Sequence, residues 1–170
     1  MMNRETLKRI FYFLKEKENK ELPYGWKSAN DNIIKQKLIN GEPLTDHDLT
    51  IENSLDLQDT EITSLPIGFT VKNNLELGSS KINSLPKGLY IGGNLNLFNC
   101  REISSLPEGL YVVGNLSLTA SNIESLPKGL YVGGWLFINS SLLAKKYTDE
   151  QIREMITSKG GTIIGKIHRK

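Results

Sequence analysis

Ile82-Asn83-Ser84-Leu85-Pro86-Lys87-Gly88-Leu89-Tyr90-Ile91-Gly92-Gly93-Asn94-Leu95-Asn96-Leu97 is the stretch that decides the fold, because the chain repeats it. Leu-Pro occurs at Leu65-Pro66, Leu85-Pro86, Leu106-Pro107 and Leu126-Pro127, at intervals of 20, 21 and 20 residues. A glycine follows each proline by two: Gly68, Gly88, Gly109 and Gly129. An apolar-x-apolar pair comes next (Phe69/Val71, Leu89/Ile91, Leu110/Val112, Leu130/Val132). A second pair follows it (Leu75/Leu77, Leu95/Leu97, Leu116/Leu118, Leu136/Ile138). Leu49/Ile51 and Leu55/Leu57 keep the same frame, so a first, partial unit begins near Leu44 and the chain has five rungs. Self-similarity at a fixed period of this length signals a solenoid.

Apolar residues two apart place both side chains on one face of a short strand. Each unit therefore offers two strands whose apolar faces only stacking can bury. Glycine after the Leu-Pro predicts a tight turn with positive φ. The second turn, Lys72-Asn73, Gly92-Gly93, Val113-Gly114 and Gly133-Gly134, predicts a left-handed residue at its second position. The one extra residue falls near Cys100-Arg101, where a coil can bulge without breaking the stack. Two small polar columns recur: Ser64, Ser84, Ser105, Ser125, and Thr60, Ser80, Cys100, Ser121, Ser141. Both are expected to satisfy backbone groups at bends.

Over residues 44–143 these units resemble the short bacterial Leu-Pro leucine-rich repeats of secreted effectors. They are closer still to the Leu-Pro-x-Gly-Leu-x-Val-Gly-Gly-x-Leu-x-Leu repeat proteins of tailed phages and prophages. Common leucine-rich repeats carry Asn where this chain has Thr60, Ser80, Cys100, Ser121 and Ser141. The departure points to a flatter coil, closer to a β-solenoid than to a horseshoe. What the resemblance implies about function is a non-enzymatic protein-interaction module, of the kind a phage accessory protein uses to bind and modulate a host factor.

The flanks read as caps. Residues 3–19 form an amphipathic pattern with Leu7, Ile10, Phe11 and Leu14 on one face. Residues 30–39 predict a second short helix that Gly41-Glu42-Pro43 ends, and Leu22-Pro23-Tyr24-Gly25-Trp26 echoes the repeat without keeping its frame. Thr148-Asp149-Glu150-Gln151 is a capping-box start, Ile152, Met155 and Ile156 give that helix one apolar face, and Gly160-Gly161 stops it. Residues 162–167 read as a final strand that protects the edge. The expected organisation is a helical N-terminal cap over 1–43, a mainly β, leucine-rich-repeat-like solenoid over 44–143 and a helix–strand cap over 144–170.

The 170 residues suit one domain with caps. The net charge of +2 is the sum of +2 over 1–47, −4 over 48–143 and +4 over 144–170. No block is extreme enough to demand nucleic acid. The single cysteine allows no disulfide framework. No apolar run approaches the roughly 18 residues of a membrane span, and the N-terminus lacks a signal-like apolar core. A cytoplasmic setting is expected, the host's cytoplasm if the chain is phage-encoded.

Catalysis needs a local cluster of acids, histidines or nucleophile–base pairs. His47 and His168 each stand apart from other candidate ligands, so no metal site and no cofactor is expected. Cys100 occupies a small-residue column and reads as a packed thiol. Asp56 and Glu76 share a column on adjacent rungs, and a solvated acidic face is the expected reading. The outward column of the second strand runs Asp56, Glu76, Asn96, Ser117, Phe137, acidic at one end and aromatic at the other, and Asp56, Glu76 and Asn96 are candidate partner contacts on it. Phe98, Trp135 and Phe137 on an outward face are candidate partner contacts, unless the C-terminal helix folds back over Trp135 and Phe137. Tyr90, Tyr111 and Tyr131 form an outward column on the first strand, either as contacts or as a ladder that steadies the rungs. The expected partner is a protein. Nucleic-acid binding through Lys159, Lys166, His168, Arg169 and Lys170, and self-assembly into a homo-oligomer, are the alternatives.

Overall fold

A computed structural model describes residues 24–169. The repeats build a parallel β-solenoid. Each unit contributes two two-residue strands: β1 (Thr50–Ile51) and β2 (Leu55–Asp56), β3 (Thr70–Val71) and β4 (Leu75–Glu76), β5 (Tyr90–Ile91) and β6 (Leu95–Asn96), β7 (Tyr111–Val112) and β8 (Leu116–Ser117), β9 (Tyr131–Val132) and β10 (Leu136–Phe137). Odd strands pair in parallel as a first sheet and even strands as a second, always in the register the repeat predicts: Val71 on Ile51, Leu75 on Leu55. No helix separates one repeat from the next, which makes the coil flat. Inside it one rung supplies Ile82, Leu85, Leu89, Ile91, Leu95 and Leu97, all buried, and the other rungs repeat the set.

Gly68, Gly88, Gly109 and Gly129 have φ of 81°, 73°, 71° and 68°, as the turn after Leu-Pro requires. The second turn differs from expectation: no left-handed residue stands there. Gly93, Gly114 and Gly134 are glycine because the rung below approaches too closely for a Cβ; one added at Gly114 would lie 2.8 Å from the Gly93 carbonyl. The left-handed column lies elsewhere, at Asp59, Ser79, Asn99, Ala120 and Ser140, with φ between 53° and 57°. An alanine held there is strained by about 1 kcal/mol. Ala120→Gly is therefore expected to stabilise the protein by up to about 1 kcal/mol, read as a higher urea midpoint.

The two small columns behave differently. Thr60, Ser121 and Ser141 each donate a hydroxyl bond of 2.7 Å to the carbonyl three residues back, and Cys100 Sγ donates to Leu77 O at 3.0 Å. Ser64, Ser84, Ser105 and Ser125 are exposed and, among the described residues, make no side-chain bond to the backbone. The extra residue beside Arg101 leaves a carbonyl that Asn122 reaches with its amide at 2.8 Å.

Helix α1 (Tyr24–Asn40) covers the first rung and is longer than the predicted 30–39. Tyr24–Trp26 are helical, so the Leu-Pro echo there is no rung. Gly41 (φ 67°) ends the helix, with Glu42 N–H on Lys37 O at 2.9 Å. Ile34 enters the core from α1. Asp31, also on α1 and 7% exposed, accepts the amides of Glu52 and Asn53 at 3.3 and 3.1 Å and the Asn53 side chain at 2.7 Å. In every later rung the amide in the Glu52 column donates to a carbonyl of the rung before it, as Lys72 does to Ile51 at 2.9 Å. The expected helix over 3–19 lies outside the described residues.

Lys37 on α1 binds Asp48 at 2.7 Å, and Asp48 also accepts the Thr45 amide in the 3-10 turn Asp46–Leu49. Burial pushes the Asp48 carboxyl up, but the Lys37 and Thr45 bonds together outweigh it and hold the group below its ordinary 3.8. A depressed carboxylate stabilises the fold fully above its ordinary value and loses that contribution as pH falls through the folded-state value. The urea-midpoint gap between wild type and Asp48→Asn is expected to be widest at neutral pH and to close as pH falls through the depressed value, below the ordinary 3.8.

At the other end Ser141 keeps its place in the small column but caps α2 (Leu142–Lys146), accepting the Ala144 amide at 3.2 Å. Helix α3 (Asp149–Ser158) opens on the predicted capping box of Thr148 and Gln151 and buries Ile152 and Ile156 over the last rung. The expected single final strand is two strands, β11 (Thr162–Ile163) and β12 (Ile167–His168), bent between Ile163 and Ile167. They pair with β9 and β10 and make a sixth rung. Among the described residues no helix is long and apolar enough to cross a membrane.

Candidate functional site

The flat coil fixes where each outward side chain stands. On the first sheet Tyr90 and Tyr111 stack with ring centroids 5.5 Å apart and planes 14° apart, and Tyr111 and Tyr131 at 4.2 Å and 7°. Partial desolvation, then the neighbouring tyrosines, push the Tyr111 hydroxyl above its ordinary value. Stacking of parallel rungs steadies the sheet, yet Tyr90 and Tyr111 remain 40% exposed.

At the corner after this column stand Val113 and Ile164, 42% and 66% exposed, and past the corner Trp135 at 46%. Val113 and Ile164 escaped the sequence reading because they occupy a turn column otherwise held by Lys72, Gly92 and Gly133. Tyr131 leans toward Gly133, its Cε1 3.4 Å from where a Cβ would stand, and the Trp135 indole lies against Gly165, where a Cβ would overlap it. An exposed apolar band thus wraps the corner of the last rungs.

The aromatic neighbours of Trp135 are Phe137 on its own rung and His168 on the next. The His168 ring lies 4.6 Å from Trp135 and 5.1 Å from Phe137, and Trp135 and Phe137 are 6.1 Å apart. Among the described residues the buried His168 Nε2 has no hydrogen-bond partner. Phe98 is 47% exposed but two rungs away, roughly 10 Å at the usual strand spacing, so it stands apart from this cluster.

The polar candidates are largely occupied. Asp56 and Glu76 are adjacent, as their shared column predicts. Asp56 accepts the Gln58 amide at 3.0 Å; that bond above all, against slight desolvation and with help from the Gln58 side chain and Lys35, holds the carboxyl low. Asn96 likewise accepts the Phe98 amide at 2.9 Å. Asn74, Asn94 and Asn115, each one residue before its second strand, form a ladder: their Oδ1 atoms accept the amides of Asn94, Asn115 and Trp135 at 2.8, 2.8 and 2.7 Å. Burial pushes the Cys100 thiol up, against weaker help from Ser80, which leaves it protonated in the core.

The basic C-terminal residues are also partly committed. Lys159 Nζ donates to Leu126 O at 2.8 Å. Arg169 pairs with Asp149 and donates to Ala144 O at 2.8 Å and Tyr147 O at 2.5 Å, tying the last rung to the α2–α3 junction. His168 is in the aromatic cluster, and Lys166 is exposed beside Trp135. Among the described residues no group of three His, Cys, Asp or Glu side chains is placed to hold a metal ion. Comparison of the chain with protein-family models, with curated proteins and with solved structures finds no match.

Proposed function

We propose that the protein is a non-enzymatic protein-interaction module that binds through the apolar band on its last rungs. The observation that carries this reading is the exposure of Tyr90 and Tyr111, Val113, Trp135 and Ile164 along the corner from the third to the sixth rung of a rigid scaffold. Side chains of this type are costly to leave in water and are the usual anchors of a binding surface. The ladders beneath them already fix the backbone, so little ordering opposes association. The likeness of the units to phage Leu-Pro repeats supports a bacterial host factor as the partner. Nucleic acid is less well supported, since Arg169 and Lys159 hold the fold together.

The test is affinity capture from a bacterial lysate followed by mass spectrometry. Wild type is compared with Tyr90→Ser/Tyr111→Ser/Val113→Ser and with Phe98→Ala/Trp135→Ala/Phe137→Ala, after circular dichroism shows all three folded. A protein retained by wild type and lost by a variant is the expected result. Equal recovery by all three would refute the reading, and a catch consisting of nucleic acid would favour the basic segment instead.

A further inference from the structure

Two cations border the apolar corner. Lys166 follows Trp135 in the same column, one rung on. Arg153, on the exposed side of α3, reaches across and donates from Nη2 to Gly165 O at 2.9 Å, which holds its guanidinium beside the backbone that Trp135 covers. Among the described residues neither cation belongs to an ion pair. Arg153 bonds the Gly165 carbonyl and Lys166 is the residue after it, while Ile164, the more exposed of the two corner residues, is the residue before it. The whole segment 144–170 carries +4.

We propose that this corner binds an acidic, aliphatic segment of a partner protein: apolar side chains lie over Val113, Ile164 and Trp135, and a carboxylate beyond them bonds to Arg153 and Lys166. The inference rests on the interaction-module reading and narrows its partner by chemistry. Charge complementarity argues for the carboxylate. A guanidinium fixed by one bond keeps its remaining N–H groups for a planar anion. The apolar ridge argues against a phosphate backbone, which offers little for Val113 and Ile164 to contact.

The experiment is selection of the full chain against a library of short random peptides, with the best binders remeasured by fluorescence anisotropy. Enrichment of Asp or Glu beside Leu, Ile, Val or Phe is expected. Arg153→Gln/Lys166→Gln should weaken such a peptide about tenfold at low salt, and the gap should narrow as salt rises. Trp135→Ala should weaken it by at least as much. Enriched peptides without acids, or acidic peptides that ignore the Arg153→Gln/Lys166→Gln change, would overturn the assignment while leaving the interaction module standing. Co-sedimentation with phosphatidylglycerol vesicles is the parallel arm: vesicle binding with no peptide selected would replace the peptide by an anionic surface and overturn both readings. No peptide and no vesicle binding would also overturn the acidic segment, and the lysate capture then judges the module by itself.

Discussion

Replacing Gly114 by alanine is expected to cost about 3 kcal/mol or more. Gly114 lies in the fourth of six rungs. Its amide donates to Gly93 O at 2.9 Å, and its own carbonyl accepts from Gly134 at 2.8 Å. A Cβ would stand 2.5 Å from Asn94 Oδ1 and 2.8 Å from both the carbon and the oxygen of the Gly93 carbonyl. Two of those three atoms are backbone and cannot swing away. The third is the acceptor for the Asn115 amide, so moving it strands a donor. Because a solenoid holds each rung through its neighbours, a gap here also uncouples the two halves. Urea denaturation should show a lower midpoint and a broader or split transition, whereas Gly88→Ala, with no atom within 4 Å of its added Cβ, should cost only the strain of its positive φ. Equal losses at the two sites would contradict the account.

The second large effect is expected at Asp31. Its carboxylate takes three donors from the first rung, two of them backbone amides that have no preceding rung to bond. Asp31→Ala removes a buried acceptor and leaves those donors unpaired, at about 2–4 kcal/mol. Asp31→Asn keeps one acceptor oxygen and should lose roughly half as much. Native-state hydrogen exchange distinguishes this from general weakening: in Asp31→Ala the amides of β1 and β2 should lose protection while those of β9 and β10 keep theirs. Uniform loss along the stack would show that α1 does not act as a local end-piece.

Much of this was legible in the repeat. Apolar spacing gave the strands, their register and the inward columns, because burial of both faces leaves only one way to stack Leu55, Leu75 and Leu95. The sixth rung was harder to see: Ile163 and Ile167 keep the apolar frame, but α2 and α3 intervene and the period is lost. The Asn ladder was not legible, since alternation along a strand does not reveal that an amide at a corner turns toward the next rung. The left-handed column carried a signal in Asp59 and Asn99, residues suited to that conformation, and Ser79, Ala120 and Ser140 broke it. The candidate surface was half legible. Tyrosine and tryptophan columns followed from period alone, while the exposure of Val113 and Ile164 and the commitment of Lys159 and Arg169 depend on how the end-piece folds back.

The bond between each ladder asparagine and the amide that follows the glycine of the next rung joins unit to unit rather than residue to residue. Excising one whole unit, for example 80–99, would set Asn74 beneath the Gly114-Asn115 turn, which is the arrangement Asn94 occupies now. Inserting a copy would extend the same chain of partners by one. In genetic terms the rod is a length variable: slippage or unequal exchange within the repeat would shorten or lengthen it in steps of about 4.8 Å without creating a junction the fold has not already solved. Such changes would shift the distance between the two ends while leaving each end intact.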